Sequence, residues 1–357
     1  MSSRQAVELG KRVALTLGSG GARGYAHIGV IEVLEARGYE IVAISGCSMG
    51  AVIAGVYAAG QLKAYHDWVC ELDYFDVLKL VDVTWSPMGA MRASKVMSKL
   101  EELVGDIQIE DLPIPFTTVA TDLLRQREVW FQSGPLLRAI RASIAIPGVI
   151  TPVHIGNSTL VDGGLLNPLP ITPTVSAHAD MMLAVNVTAH SARPVSLDDL
   201  LPTEEQAEEQ EKAEEEAAAR KWMDVRGATR WLFEGFGGPE GEAGEPSSKA
   251  GRAASGRRAW GRLDMILASF DITQASLAKY KIAGYPPDVL IEVPKTVCGA
   301  FEFHRAEALI RLGRHLAVEA LDRYEGRTHT GDGGSGGTIV EPPQMPADSE
   351  SQSDGGT

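Results

Sequence analysis

The chain is poor in cysteine, in basic charge and in long apolar runs, and each shortage removes a class of protein. Only Cys47, Cys70 and Cys298 occur in 357 residues, and no two form a C-x-x-C pair. Neither a disulfide framework nor a cysteine-built zinc site is expected, and a reducing cytoplasm fits best. Lysine and arginine number 33 against 47 acidic residues, a net charge of −14. A nucleic-acid binder needs a basic face to replace phosphate counterions, so no nucleic-acid partner is expected. The apolar run nearest the N-terminus, Val13 to Leu17, is too short for a signal-peptide core. No stretch reaches the roughly 18 apolar residues of a membrane span.

What remains is an ordinary globular balance, 44% hydrophobic and 22% charged, which argues against global disorder. Residues 13–17 (VALTL) read as a buried strand, followed by the glycine-rich loop GSGGARG at 18–24. Residues 25–38 have apolar side chains at helical spacing and a glycine stop. Residues 40–45 (EIVAIS) read as a second strand, GCSMG as a turn and 51–60 as a small-residue helix. This βαβα alternation belongs to a parallel sheet covered on both faces. Further strands are expected at 116–122, 128–131, 159–161, 181–187 and 288–293, with helices at 135–146 and 304–324.

Composition changes after about residue 194. Residues 203–219 are dense in glutamate and alanine, a solvated helix or an acidic disordered run. Residues 235–257 are rich in Gly, Ser and Ala and read as a linker. Between them, 221–236 sets bulky apolar groups beside Lys221, Arg226 and Arg230. That stretch reads either as an amphipathic helix docking on lipid or as a helix packed on the domain.

Gly46-Cys47-Ser48-Met49-Gly50 is a G-x-S-x-G pentapeptide between a strand and a helix. A nucleophilic serine needs such a sharp turn, and its flanking positions 46 and 50 must be small because the backbone is crowded. Ser48 would also sit at a helix N-terminus, where the backbone dipole favours developing negative charge. Cys47 is either a redox handle or a small residue tolerated in the turn.

The loop Gly18 to Gly24 can converge backbone N–H groups on an anion. The dinucleotide frame G-x-G-x-x-G does not fit, since Arg23 stands in the last position counted from Gly18. Glu40 nevertheless lies near the place of a ribose-binding acid, so a nucleotide-binding oxidoreductase competes. The other reading is an oxyanion hole beside Ser48, because loops after adjacent parallel strands open at the same sheet edge.

A general base is harder to place. Histidines after Ser48 include His66, His154, His178, His190, His304 and His315, none with a loop context and an obvious acidic partner. His27 precedes Ser48 and is expected to cap or pack. Asp162-Gly163-Gly164, an acid at a strand end followed by two glycines, is the better candidate. In a dry cleft such a carboxylate can accept the serine proton as attack proceeds.

Together, GSGGARGYAHIGV, GCSMG, RASIAIPGV at 141–149, LVDGGLLNPLP at 160–170 and FHRAEALIRLG at 303–313 resemble the patatin-like phospholipase family. The likeness is nearest to small bacterial members of the branch containing the catalytic domain of neuropathy target esterase. It is dense over residues 13–190 and loose over 260–320. It implies a three-layer α/β/α fold with a mostly parallel central sheet, and a calcium-independent lipid acyl hydrolase with a Ser–Asp dyad. Carried over by position, Ser48 is the nucleophile and Asp162 its base. Gly20, Gly21, Ala22, Arg23 and Gly24 form the oxyanion loop, Gly46 and Gly50 frame the elbow, and Gly163 and Gly164 support the dyad. Ser19 departs from the glycine found in many members.

The expected organisation is an extension at 1–12, a catalytic core at 13–193, an insertion at 194–258, the rest of the catalytic domain at 259–325 and a disordered tail at 326–357. The expected substrate is an acyl ester lipid, with no cofactor and no metal. The expected place is the cytoplasm, with peripheral contact at the inner face of the membrane through 221–236 as an option. The alternative is a non-catalytic scaffold of the same fold that binds lipid or protein.

Overall fold

The computed structural model describes residues 11–80, 82–86, 89–191, 193–197, 199–201 and 262–326. The acidic run, the 221–236 stretch, the Gly-rich linker, most of the extension and nearly all of the tail lie outside the described residues.

One mixed sheet organises the chain. Its parallel part runs in the order β11 (Val289–Pro294), β10 (Met181–Ala189), β1 (Arg12–Leu17), β2 (Glu40–Gly46) and β5 (Phe116–Asp122). Three antiparallel strands extend it: β6 (Arg127–Phe131) and β9 (Ser158–Asp162) pair with β5, and β8 (Val153–Ile155) pairs with β9. A smaller sheet joins β3 (Val83–Ser86), β4 (Gly89–Met91) and β7 (Gly148–Ile150).

The period-2 pattern of the strands sorts their side chains into two unlike faces. Val13, Leu15 and Leu17 of β1, and Met181, Leu183, Val185 and Val187 of β10, enter one large core. That core also takes up α1 (Ala26–Ala36), α2 (Met49–Ala58), part of α6 (Leu136–Ser143) and α8 (Ala306–Tyr324). Each Leu or Ile fully buried there stabilises the fold by about 1.5–3 kcal/mol relative to exposure. The opposite face is small and polar. There the Thr16 and Thr174 hydroxyls lie 3.2 Å apart, and Ser45 Oγ donates to the Pro170 carbonyl at 2.7 Å. A minor core of Leu169, Ile171, Ala184 and Ala278 closes this side under α7 (Arg262–Gly284). Helical layers therefore flank the sheet, as the alternation of strands and helices predicts. The remaining helices are α3 (Leu62–Cys70), α4 (Tyr74–Leu80) and α5 (Ser94–Val104).

β1, β2 and β5 all run toward the same edge of the sheet. The glycine-rich loop follows β1 and the GCSMG turn follows β2, so parallel pairing of the two strands brings both loops together. β9 runs antiparallel to β5 and delivers Asp162 opposite Ala120. Strand β11, from the C-terminal part of the chain, pairs with β10 and belongs to the same sheet.

Candidate active site

The GCSMG turn is sharp because its ends are pinned. The Cys47 N–H donates to the Leu17 carbonyl, and the Gly50 N–H closes back on the Cys47 carbonyl at 2.9 Å. Ser48, between them, takes φ 54° and ψ −120°, a strained conformation for a residue with a Cβ. The flanking glycines are required by space. A Cβ on Gly46 would strike the Gly50 carbonyl, and one on Gly50 would strike the Leu17 carbonyl. Ser48 caps the N-terminus of α2, is 4% exposed, and donates its N–H to Ser143 Oγ at 2.9 Å.

Asp162 closes β9 in relaxed backbone and is fully buried. Its Oδ1 accepts the Gly164 N–H at 2.7 Å and faces Cys47 Sγ at 3.9 Å, while Oδ2 has no hydrogen-bond partner. Burial raises its pKa from 3.8 to about 6. The Ser48 hydroxyl, the Gly164 N–H and the Cys47 thiol all oppose that rise. The Ser48 hydroxyl thus lies near enough to the carboxyl to favour its ionised form. Gly163 backs onto the Val119 carbonyl.

Residues 21–25 of the glycine-rich loop form a 3-10 turn that packs on α2, with Gly24 against Met49. Gly21 has φ +59°, and a Cβ there would strike the Ala300 carbonyl. That carbonyl accepts the Ala22 N–H at 2.9 Å, so the Ala22 amide is occupied. Among the described residues the Gly20 and Gly21 N–H groups meet no acceptor. Arg23 is buried beneath the loop. Its Nε donates to the Gly20 carbonyl at 3.1 Å, Nη1 donates to the Lys295 carbonyl at 2.9 Å, and Nη2 lies 3.7 Å from Asp271. Because a trans peptide sets N–H opposite C=O, Arg23 fixes the direction of the Gly21 N–H.

Three groups at this site have no local sequence signal. Ser143 is contributed by α6, and Asp271 and Gln274 by α7. Gln274 is 3% exposed, and its amide is what a Cβ on Gly164 would strike. Lys281 of α7 pairs with Glu128 at 2.8 Å, and Glu128 also accepts from Asn167 and Trp130. Ser143 falls inside the RASIAIPGV segment, whose likeness to the family was visible but whose role was not.

None of the seven described histidines bonds Ser48 or Asp162. His66 lies beside Glu32 and Asp67, His154 contacts Thr159, His304 stacks edge-on against Tyr74, and His315 lies 3.4 Å from Glu319. His178 and His190 are exposed. His27 is fully buried, with Nε2 on the Gly18 carbonyl at 2.8 Å and Nδ1 unpartnered, and burial lowers its pKa to about 4. The three cysteines are free, and among the described residues no three His, Cys, Asp or Glu side chains gather as metal ligands. No helix among the described residues is long and apolar enough to cross a membrane.

Residues 15–175, which contain the serine elbow, the glycine-rich loop and the buried aspartate, match the patatin-like phospholipase family model. The chain belongs to the NTE family within that class. Uncharacterized NTE family proteins of Mycobacterium bovis and Mycobacterium tuberculosis are 43% identical to it over 332 residues, covering 88% of this chain and 92% of theirs. A protein of Emericella nidulans called lysophospholipase nte1 is 32% identical over 186 residues, 50% of this chain and 12% of that longer protein. Among solved structures, VipD of Legionella pneumophila aligns with a TM-score of 0.41 and 13% identity, covering 89% of this chain and 68% of that one.

Proposed function

We propose that the protein is a calcium-independent serine hydrolase of acyl ester lipids, of phospholipase A or lysophospholipase type, working through a Ser48–Asp162 dyad and an acyl-serine intermediate. The observation that supports this most is the pairing of a strained, buried Ser48 with a fully buried Asp162 whose Oδ2 lacks a partner. Family membership supports the lipid class, and the nte1 relative supports a lysophospholipid as first substrate to try.

In this mechanism Ser48 Oγ attacks the ester carbonyl while Asp162 takes its proton. A carboxyl titrating at about 6 is mostly ionised at neutral pH yet basic enough to accept that proton. The free N–H groups of Gly20 and Gly21 donate to the oxyanion, with Ala22, Arg23 and Gly24 shaping the loop. The N-terminal dipole of α2 adds to the same stabilisation. Collapse of the tetrahedral species breaks the ester bond, and the leaving alcohol takes the proton from Asp162. Water then gives a proton to Asp162 and attacks the acyl-serine; collapse releases the fatty acid, and the leaving Ser48 Oγ takes the proton back from Asp162.

The test is labelling with a fluorophosphonate, followed by peptide mapping, on wild type and on Asp162→Asn. A single adduct on Ser48, strongly reduced in the variant, is the expected result. A folded wild type that takes no adduct on Ser48 would leave the non-catalytic scaffold as the better reading.

A further inference from the structure

The dyad reaction leaves two buried groups at the elbow without a task. Ser143 ends α6, is 0% exposed, and accepts the Ser48 N–H at 2.9 Å. Cys47 precedes the nucleophile, is 0% exposed, and donates through Sγ to Asp162 Oδ1 at 3.9 Å. One group therefore touches the backbone of the nucleophile, and the other touches the carboxylate of the base. We propose that Ser143 and Cys47 are positioning residues that bridge the dyad from beneath, Ser143 by locking the Ser48 peptide and Cys47 by holding Asp162 Oδ1. This rests on the Ser–Asp reading above.

A positive φ at a residue with a Cβ persists only where its surroundings over-determine it. Gly46 and Gly50 make room for the turn, but room alone does not orient a peptide. The Ser48 N–H lies ahead of the first intrahelical bonds of α2, whose opening amides, on Ala51 and Val52, take the Ser48 carbonyl. Without Ser143 Oγ that N–H would be a buried unpaired donor, and the Cys47–Ser48 peptide would be held from its carbonyl side alone, by the Gly50 N–H.

Cys47 completes the link. Burial and the neighbouring Asp162 keep its sulfur protonated, so it acts as a donor. The Ser143 hydroxyl in turn interacts with the Cys47 sulfur. Oδ1 is thereby held by Gly164 and Cys47, which leaves Oδ2 as the free oxygen. The charged groups on elements packed around β9 are engaged elsewhere: Asp122 of β5 with Arg125, Glu128 of β6 with Lys281 of α7, and Arg141 of α6 with Thr151. Gln274 of α7 and His154 of β8 add no charge that bears on Asp162. The proton affinity of Asp162 is thus set first by burial and then by neutral donors that oppose it, and Cys47 is one of them.

The experiment follows hydrolysis of a p-nitrophenyl acyl ester and fluorophosphonate labelling of Ser48. It uses wild type, Ser143→Ala, Cys47→Ala and Cys47→Ser, from about pH 4 to about pH 9. Ser143→Ala is expected to lose about tenfold or more in kcat with KM changed less than about twofold, and to label more slowly by the same factor. Cys47→Ala is expected to move the acid limb of kcat/KM up by roughly half a pH unit, and Cys47→Ser, a stronger donor, to move it down. A merely structural cysteine would not move that limb in opposite directions. If Ser143→Ala fails to fold, the Cys47 pair decides. An active wild type with a normal labelling rate in Ser143→Ala, or an unmoved acid limb in both Cys47 variants, overturns the bridge and leaves the proposed function standing. A wild type without a Ser48 adduct overturns both.

Discussion

Ser48 leaves β2 with φ 54° and ψ −120°, whereas Asp162 leaves β9 with φ −47° and ψ 132°. The nucleophile is held in a conformation its own backbone disfavours, by glycine-spaced contacts and the N-terminus of a helix. The base is held in a conformation its backbone prefers, by a hydrogen bond from its own turn, and its cost is desolvation of the carboxylate. Backbone strain does not depend on pH, but burial of a titratable group does. The two halves of the site should therefore fail differently when each is relieved.

The largest effect comes from relieving the elbow. Ser48→Gly removes the nucleophile and should lower ester hydrolysis by roughly 10⁴-fold or more. The same change frees the turn from a Cβ at positive φ. After allowing for the greater unfolded freedom of glycine, unfolding should become harder by about 1 kcal/mol near pH 4, and by less at neutral pH, where the lost Ser48 hydroxyl no longer favours the ionised Asp162. Thermal melts across pH check this. A variant less stable than wild type would mean that the elbow is not strained.

Relieving the base should give a smaller loss of activity, about 10³-fold for Asp162→Asn, and a stability change that depends on pH. The carboxyl titrates near 3.8 when unfolded and at about 6 when folded. Between those values the folded state binds more proton, so wild-type stability falls as pH rises from about 4 to about 6 and then levels. Asparagine carries no such charge. Asp162→Asn should therefore match wild type near pH 4 and exceed it by on the order of 1–3 kcal/mol at pH 7. An equal gap between the melts at both pH values would show that desolvation of the charge is not what the base costs.

Both halves of the site were legible in the sequence as short motifs, because each is built from consecutive residues at the end of one strand. GCSMG and DGG each need glycine for space within a few positions, and β1 and β2 are short, largely apolar and almost wholly buried runs. Groups reaching the site from afar left no such trace. Ser143 lies 95 positions from the Ser48 N–H it binds. Helix α7 defeats pattern reading for a physical reason. It turns Gln274 and Ala278 inward, with Asp271 paired to Arg23, while Met265, Ile266, Ile272 and Tyr280 are exposed. Hydrophobic periodicity locates a helix by its apolar buried face, and this helix buries polar groups against a polar site. Of the antiparallel pair at the sheet edge, β9 reads from the sequence as the strand at 159–161 but β8 does not, because a hairpin added there needs no helix to mark it.

The smallest effect on activity should come from His27, which decides whether a third residue belongs with the pair. Its ring is fully buried, binds the Gly18 carbonyl and titrates at about 4, held down by burial against the opposing Gly18 bond. The folded value lies below the unfolded one of 6.5, so its contribution to stability is present above about 6.5 and is lost as pH falls toward 4. This slope is opposite in sign to that of Asp162 over the same window. His27→Gln keeps a donor for Gly18 and removes the titration. It should hold kcat/KM within about threefold at neutral pH while flattening the acid loss of stability. The wild-type curve is then a partial cancellation of two buried groups, and Asp162→Asn and His27→Gln expose one slope each. A His27→Gln variant as inactive as Asp162→Asn would instead make the imidazole part of the reaction, and the site could no longer be read as a dyad.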